Sequence, residues 1–296
     1  MKKINLSVVI PVYNEEKALE KTIKDIITNI KKSAVDQFEL IAVNDASKDN
    51  SFKILKKISR LNKKIKLLSH KTNRGYGAAL KTGIKNSKFD WVLITDADGT
   101  YPAGSIHTLV KWTVESDMVV GARIKKGAKI QPIRIIPKKI VQLVANFLTG
   151  EKIPDINSGL RIFRKEIAQE FWHLLPDKFS FTTTITLSSH LKKYYVKYIP
   201  INYFKRVGKS SIKPYDFVYF LTLIIRLITY FNPLKFFFWP GILFGVTGLL
   251  WISFTLIKYR NITDSGILLL ITGIQISFFG LIADLIVKTR ESNEKK

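Results

Sequence analysis

The sequence predicts an α/β domain on a doubly wound, mostly parallel sheet, then helices at a membrane surface and two C-terminal membrane-spanning helices. Three observations predict it. Through residues 1–125, short β-branched runs alternate with amphipathic helical patterns, the signature of parallel strands covered on both faces. Each strand-like run ends in polar residues, and in a parallel sheet those ends share one edge, where open α/β sheets place their ligands. Near the C-terminus, 236–257 and 266–287 are apolar runs, each supplying the roughly 20 residues that a bilayer span needs.

The elements follow in order. Ile4 to Val12 reads as the first strand and ends at Pro11-Val12-Tyr13-Asn14-Glu15-Glu16. Leu19, Ile23, Ile26, Ile27 and Ile30 then mark one face of a helix. Phe38 to Val43 is the second strand, running into Asn44-Asp45-Ala46-Ser47-Lys48-Asp49. Ser47 or Asp49 is placed to cap the next helix, which carries Phe52, Ile54, Leu55 and Ile58. Ile65 to Leu68 is a third strand, and Asn73-Arg74-Gly75-Tyr76-Gly77 opens a third helix. Trp91 to Thr95 and Met118 to Val120 are the fourth and fifth strands. A short strand follows Asp155, helices cover Lys165 to Leu174 and Thr182 to Lys193, and Val196 to Tyr203 is the last strand.

Asp96-Ala97-Asp98-Gly99-Thr100-Tyr101-Pro102 stands at the end of the fourth strand. In extended backbone, residues i and i+2 point the same way, so Asp96 and Asp98 aim at one place. Two hard oxygen ligands suit Mg²⁺ or Mn²⁺, with substrate phosphates completing the shell. The plainer alternative is an acidic turn, because Asp and Gly are ordinary turn residues. Gly75-Tyr76-Gly77 begins like a dinucleotide fingerprint, but Leu80 stands where the third glycine belongs, and no Gly-Lys-Ser/Thr phosphate loop occurs. The two glycines are read instead as a tight turn with close backbone approach at a helix start.

The balance of 48 basic to 23 acidic residues gives a formal charge of +25 over 296 residues, which calls for an anionic partner. With no cysteine, disulfides and thiolate metal sites are excluded, and the four histidines show no metal-ligand spacing. Met1-Lys2-Lys3 runs straight into the first strand, so no signal peptide is expected. Between residues 125 and 150, lysines and arginines interleave with isoleucine, valine and leucine. That pattern fits a basic helix lying on a membrane surface at about 132–149, or a core-facing helix with a solvated basic face. The basic stretch Phe204 to Ser211 reads as a loop closing over a phosphate or as a charged linker. Tyr215 to Phe231 carries Arg226 at its middle and reads as an interfacial helix. The expected layout is a domain over 1–212, a juxtamembrane helix over 213–234, two spans within 235–288 and a tail over 289–296. Basic residues flanking the spans put the domain and both termini on the cytoplasmic side.

Taken in order, these motifs together with Gly121-Ala122-Arg123 and Asp155 with Ser158-Gly159-Leu160-Arg161 resemble family 2 glycosyltransferases of the GT-A fold. The resemblance is to the polyprenyl-phosphate group, which includes dolichyl-phosphate mannose synthase and the bactoprenol glucosyltransferases. It implies a membrane-bound, metal-dependent, inverting hexosyltransferase. Such an enzyme moves sugar from a nucleotide-sugar of the GDP-mannose or UDP-glucose type to polyprenyl or dolichyl phosphate, with Mg²⁺ or Mn²⁺ as cofactor. By resemblance, Pro11, Tyr13, Glu15, Val43 and Asp45 contact the nucleotide and Arg206 closes over it. Asp96, Ala97, Asp98 and Arg123 line the diphosphate, and Asp96, Asp98 and Thr100 hold the metal. Asp98, Arg123 and Asp155 carry the catalysis, with Asp155 orienting Arg161 or a substrate hydroxyl. Arg123, Arg134, Lys138 and Lys139 receive the acceptor phosphate. Membrane lipids are expected partners, nucleic acid is not, and assembly of copies through the spans is open. The sequence departs from the family pattern in having Asn44 and Ala46 in place of Asp and Gly, Thr100 in place of a Gln, and Lys138 in place of an acceptor Arg. A different lipid or glycan acceptor, or an inactive nucleotide-sugar-binding scaffold, is the alternative.

Overall fold

The computed structural model describes residues 3–125, 145–146, 149–178, 180–205, 225, 229–231 and 233–293. The chain divides into two units, Met1–Phe220 and Leu221–Lys296. The predicted surface helix at 132–149, the loop after Lys205 and the interfacial helix lie almost wholly outside the described residues, as do Arg134, Lys138, Lys139 and Arg206.

In the first unit the strands are β1 (Ile4–Val12), β2 (Val35–Asn44), β3 (Ile65–Ser69), β4 (Trp91–Ile94), β5 (Met118–Ala122), β6 (Arg161–Arg164) and β7 (Val196–Pro200). The helices are α1 (Leu19–Lys31), α2 (Ser51–Leu61), α3 (Tyr76–Lys85), α4 (Ser105–Lys111), α5 (Lys165–Glu170) and α6 (Phe181–Leu191). The described strands form one sheet in the order β3-β2-β1-β4-β6-β5-β7. Pairings are parallel except those of β6, which runs antiparallel between β4 and β5. Periodicity reports a strand but not its direction, so the sequence left this orientation open. Its consequence is that the N-terminal end of β6, with Asp155 to Gly159 before it, arrives at the same edge as the C-terminal ends of its neighbours.

Alternation along β1 sorts the two layers. Leu6, Val8, Ile10 and Val12 belong to one core with Leu19, Ile23, Ile26 and Ile30 of α1, Leu55 of α2 and Ile106 of α4. The opposite face takes α3, where a Cβ on Gly83 would lie 2.2 Å from Val9 Cγ1. Helix α2 buries Leu55 and leaves Phe52 38% exposed. A helix that shows the sheet only one narrow stripe cannot bury positions on both sides of it. The last strand ends at Pro200 rather than Tyr203, where its pairing with β5 stops at Ala122.

The second unit is a helical hairpin of α7 (Pro233–Tyr259) and α8 (Asp264–Asn293). Both helices are long and apolar enough to cross a membrane, and 17% of each apolar window is buried. The core helix of a soluble protein would be mostly buried, so the outward apolar surface argues against that alternative.

Candidate active site

Register brings the site together. Val12 stands opposite Asn44, Val9 opposite Ile94, Ile94 opposite Arg161, and Ala122 opposite Pro200. Tyr13 to Glu15, Asp45, Asp96 to Asp98 and Arg123 therefore emerge side by side.

The first two loops are clasped to each other. Asn14 and Ala46 both take left-handed backbone, at φ 57°. Asn14 N–H donates to Ser47 Oγ at 3.1 Å, and Asn14 Oδ1 accepts from Lys48 N–H at 2.7 Å. Glu15 N–H reaches Ser51 Oγ at 2.9 Å. Asp49 accepts from Ser51 N–H and Glu16 N–H, so of the two expected caps it is Asp49 that serves the first turn of α2. Burial raises the Asp49 pKa, but these hydrogen bonds outweigh it and hold the carboxyl below its ordinary value.

Asp45 is nearly fully buried, and its carboxylate accepts from Arg74 N–H and Gly75 N–H at 2.8 Å each, with His70 Nδ1 2.7 Å away. It fixes the entry to α3. Gly75 there has φ +102°, and a Cβ on Gly77 would lie 2.0 Å from the Pro176 carbonyl oxygen. The first turn of α3 donates to protein carbonyls, Gly77 N–H to Lys178 and Ala78 N–H to Asp177. Close backbone approach is thus what the glycine pair serves. Pro11 and Val43 face each other in the β1–β2 register. Val43 is packed with Ile41 and Ala79, and Ala97 is buried too, so these two have mainly backbone to offer a ligand.

The Asp96–Asp98 turn is held on every side. Asp98 Oδ1 accepts from Thr100 N–H at 3.0 Å and from Thr100 Oγ1 at 2.7 Å. Thr100 therefore spends its hydroxyl proton on Asp98. Tyr76 O–H donates to Asp96 Oδ1 at 2.9 Å. Burial, then the Asp96 charge, pushes the Tyr76 phenol well above its ordinary pKa. Gly159 backs onto the same carboxylate, where an added Cβ would sit 2.9 Å from Asp96 Oδ2. Gly159 N–H donates to Tyr101 Oη at 2.6 Å, and the Tyr101 ring meets Tyr203 edge to face at 5.3 Å.

Arg123 lies over Tyr203, its guanidinium carbon 5.2 Å from the ring centroid. Its Nε and Nη2 fork onto Asp155 at 2.8 Å each, its backbone N–H adds a third bond to Asp155, and Nη2 also reaches Asn157. Nη1 donates to none of the described residues. Burial works against the charge, but Tyr101 and Asp155 outweigh it and keep the Arg123 pKa above its ordinary value. Of the two partners expected for Asp155, Arg161 or a substrate hydroxyl, the first is corrected by this pairing. Arg161 is fully buried and donates to the Ser158 and Thr182 carbonyls and to Thr186 Oγ1, stapling the 155–159 loop to α6. The reason is position: Asp155 precedes the turn into β6 and meets the end of β5, whereas Arg161 is already inside the sheet.

Tyr76, Tyr101, Tyr203 and Asn157 were not read from the sequence as site residues. Only Tyr76 carried a signal, being flanked by two glycines.

With that geometry in hand, the comparisons are decisive on family. The sequence pattern of Glycosyl transferase family 2 matches residues 7–172, more than half of the chain. The chain belongs to that family. The pattern of the GtrB C-terminal hairpin matches residues 232–289. The uncharacterized glycosyltransferase YkcC of Bacillus subtilis is 27% identical across 96% of this chain and 88% of its own. A UDP-N-acetylglucosamine–dolichyl-phosphate N-acetylglucosaminyltransferase of Methanococcus voltae is 31% identical over 53% of this chain and 68% of its own. An undecaprenyl-phosphate 4-deoxy-4-formamido-L-arabinose transferase of Proteus mirabilis is 34% identical over 56% of this chain and 51% of its own. Among solved structures, glucosyl-3-phosphoglycerate synthase of Mycobacterium tuberculosis aligns with TM-score 0.57 at 17% identity, over 76% of this chain and 79% of that one. TarS of S. aureus aligns with TM-score 0.54 at 19% identity, over 76% of this chain and 65% of that one. These likenesses establish the GT-A fold of this family 2 glycosyltransferase.

Proposed function

We propose that this glycosyltransferase moves a hexose-type sugar from a nucleotide-sugar to a polyprenyl phosphate at the membrane. One observation carries the reading. Asp96, Asp98 and the fork-held Arg123 share one sheet edge, while Asp155, the acid best placed to serve as a base, is spent on Arg123. A phosphate acceptor needs no base, because its second pKa is about 6. The names of the dolichyl- and undecaprenyl-phosphate relatives support the same acceptor class.

The donor set fits a hard divalent cation of the Mg²⁺ or Mn²⁺ type. Among the described residues no group of three or more His, Cys, Asp or Glu is arranged for a metal. Two carboxylates alone suit an ion whose shell a diphosphate completes. When bound, such an ion neutralises charge developing on the leaving diphosphate. Asp96 and Asp98 are the residues to hold it, with Thr100 fixing the orientation of Asp98.

The remaining chemistry belongs to side chains. The acceptor oxygen forms a bond to the anomeric carbon as the carbon–oxygen bond to the diphosphate breaks, and the nucleoside diphosphate leaves with the electron pair. In-line attack inverts the carbon, so an α-linked donor gives a β-linked lipid phosphate. Arg123 presents Nη1 to the phosphates, and Asp155 with Asn157 keeps that guanidinium aimed. Positioning and preorganised charge supply the rate. Arg134, Lys138 and Lys139 offset repulsion between the two anions, and Arg206 closes on the donor. Helices α7 and α8 cross the bilayer, with the connection at Arg260–Thr263 outside and the domain in the cytoplasm.

The test is radiolabelled transfer into lipid extract by the full-length protein. It uses undecaprenyl or dolichyl phosphate, Mg²⁺ or Mn²⁺, and UDP-glucose, GDP-mannose or UDP-N-acetylglucosamine. Transfer from one donor, abolished by Asp96→Ala/Asp98→Ala, is expected. Failure with every donor, by a folded protein that binds nucleotide, would sink the acceptor assignment. Single cysteines introduced at the exposed Ser265 and Lys57 test the topology, because the chain has no cysteine of its own. Labelling of Lys57→Cys from outside intact cells would overturn the orientation.

A further inference from the structure

The glycine-flanked tyrosine is the one motif that the reaction has not absorbed. Tyr76 is the first residue of α3, seated by Gly75 and Gly77 against the backbone of Pro176 to Lys178. Both glycines are sterically required there, as a Cβ on Gly75 would also lie 2.8 Å from the Asp177 carbonyl oxygen. The backbone of α3 is anchored again by Asp45, which holds Gly75 N–H at 2.8 Å. What this anchoring delivers is one phenol, whose hydroxyl reaches Asp96 Oδ1 at 2.9 Å. The carboxylate is also met by Gly159, where any Cβ would come within 2.9 Å of Oδ2 and 3.0 Å of Oδ1. Asp96 thus has a donor and a bare backbone against it, as Asp98 has Thr100.

We propose that Tyr76 is the positioning residue for the Asp96 carboxylate and that the Gly75-Tyr76-Gly77 turn exists to aim it. The proposal rests on reading Asp96 and Asp98 as the cation's ligands. Hydrogen-bond partners of a metal ligand fix its orientation, and losing one costs about 10- to 100-fold in metal affinity or activity. Tyr76 itself touches neither the ion nor the sugar.

The test reads metal binding without turnover. Equilibrium dialysis of radiolabelled UDP and, separately, GDP against the detergent-solubilised full chain is run over a series of Mn²⁺ concentrations. Thermal melting is followed alongside. Tyr76→Phe removes only the hydroxyl and is expected to raise the half-saturating Mn²⁺ about 10- to 100-fold, with nucleotide affinity at saturating Mn²⁺ and the melting temperature unchanged. Gly159→Ala, which crowds the same carboxylate from behind, is expected to shift Mn²⁺ in the same direction. Asp96→Ala is expected to abolish the Mn²⁺ dependence. A wild-type Mn²⁺ curve in Tyr76→Phe, with the dependence still lost in Asp96→Ala, would overturn the positioning role and leave the metal reading standing. Lowered melting with weaker nucleotide binding at every Mn²⁺ concentration would make Tyr76 a merely structural residue. Nucleotide binding by the wild type that ignores Mn²⁺, or no binding at all, would overturn the metal reading and this proposal with it.

Discussion

The catalytic domain and the C-terminal hairpin use opposite residues for the same task. In the domain, close packing is made by large side chains: Leu40, Leu93, Ile162 and Phe163 are fully buried. In the hairpin it is made by their absence. The buried positions of α7 include Gly241, Gly248 and Thr255, and those of α8 include Gly266, Gly273 and Gly280. Each set recurs every seventh residue, the repeat of helices crossing at a shallow left-handed angle. A Cβ on Gly273 would lie 2.4 Å from Gly245 N, so the backbones themselves are in contact. Leu250 is 65% exposed and Phe279 64%. Water drives side chains inward in one unit, whereas lipid, the solvent proposed for the other, gives no such drive and rewards backbone approach.

The sharpest break between the two units is chemical. Arg123→Ala is expected to lower kcat/KM for sugar transfer about 10²- to 10³-fold, measured by steady-state kinetics, while Leu250→Ala leaves it unchanged. Next in size is one substitution made in both places. Leu40→Ala should cost about 2–5 kcal/mol by denaturant unfolding, through the lost transfer energy and the cavity left behind. Leu250→Ala, on the outer face, should cost less than about 0.5 kcal/mol. Equal costs would sink the contrast in solvents.

Glycine gives a finer test. Gly83→Ala in the domain and Gly273→Ala in the hairpin each force a Cβ into occupied space, with an expected cost of about 1–3 kcal/mol. Gly245→Ala meets nothing within 4 Å and should be near neutral in thermal melting, although Gly245 lies on the same seam. A destabilised Gly245→Ala would show that the seam is drawn wrongly.

Smaller effects belong to the domain alone. His190 bridges Glu151 Oε2 at 2.7 Å and Tyr198 Oη at 2.8 Å. Burial lowers its pKa below the ordinary 6.5, against the opposing pull of Glu151. The unfolded chain then takes up that proton first, so His190 costs stability as pH falls through 6.5. Melting of the wild type should drop more steeply from pH 7.5 to 5.5 than melting of His190→Gln, and parallel curves would refute the linkage. Ala46→Gly relieves a left-handed alanine worth about 1–2 kcal/mol of strain, less about 0.5–1 kcal/mol of glycine entropy. A modest rise in melting temperature is expected, and a fall would mean that the loop needs the alanine side chain.

Much of the domain was legible because hydrophobic periodicity is a local property. β1 begins and ends where its pattern does, and Leu19, Ile23, Ile26 and Ile30 face the core as their spacing requires. The direction of β6 was not legible, since four residues carry no sign of which way they run. The partner of Asp155 followed from that direction and was misread with it.

The sequence by itself determined which residues are candidates for the proposed chemistry: the Asp96 and Asp98 pair and Arg123 beyond the fifth strand, together with two apolar helices and the order of motifs that identifies the family. Those depend on residue type and short spacing, which a chain displays before it folds. Only the tertiary structure decided how each is held. Asp155 grips Arg123, Tyr76 reaches Asp96, and Gly159 must be bare because distant segments converge at one sheet edge. Contacts between residues 20 to 100 positions apart are set by sheet order and register, and no local pattern encodes them.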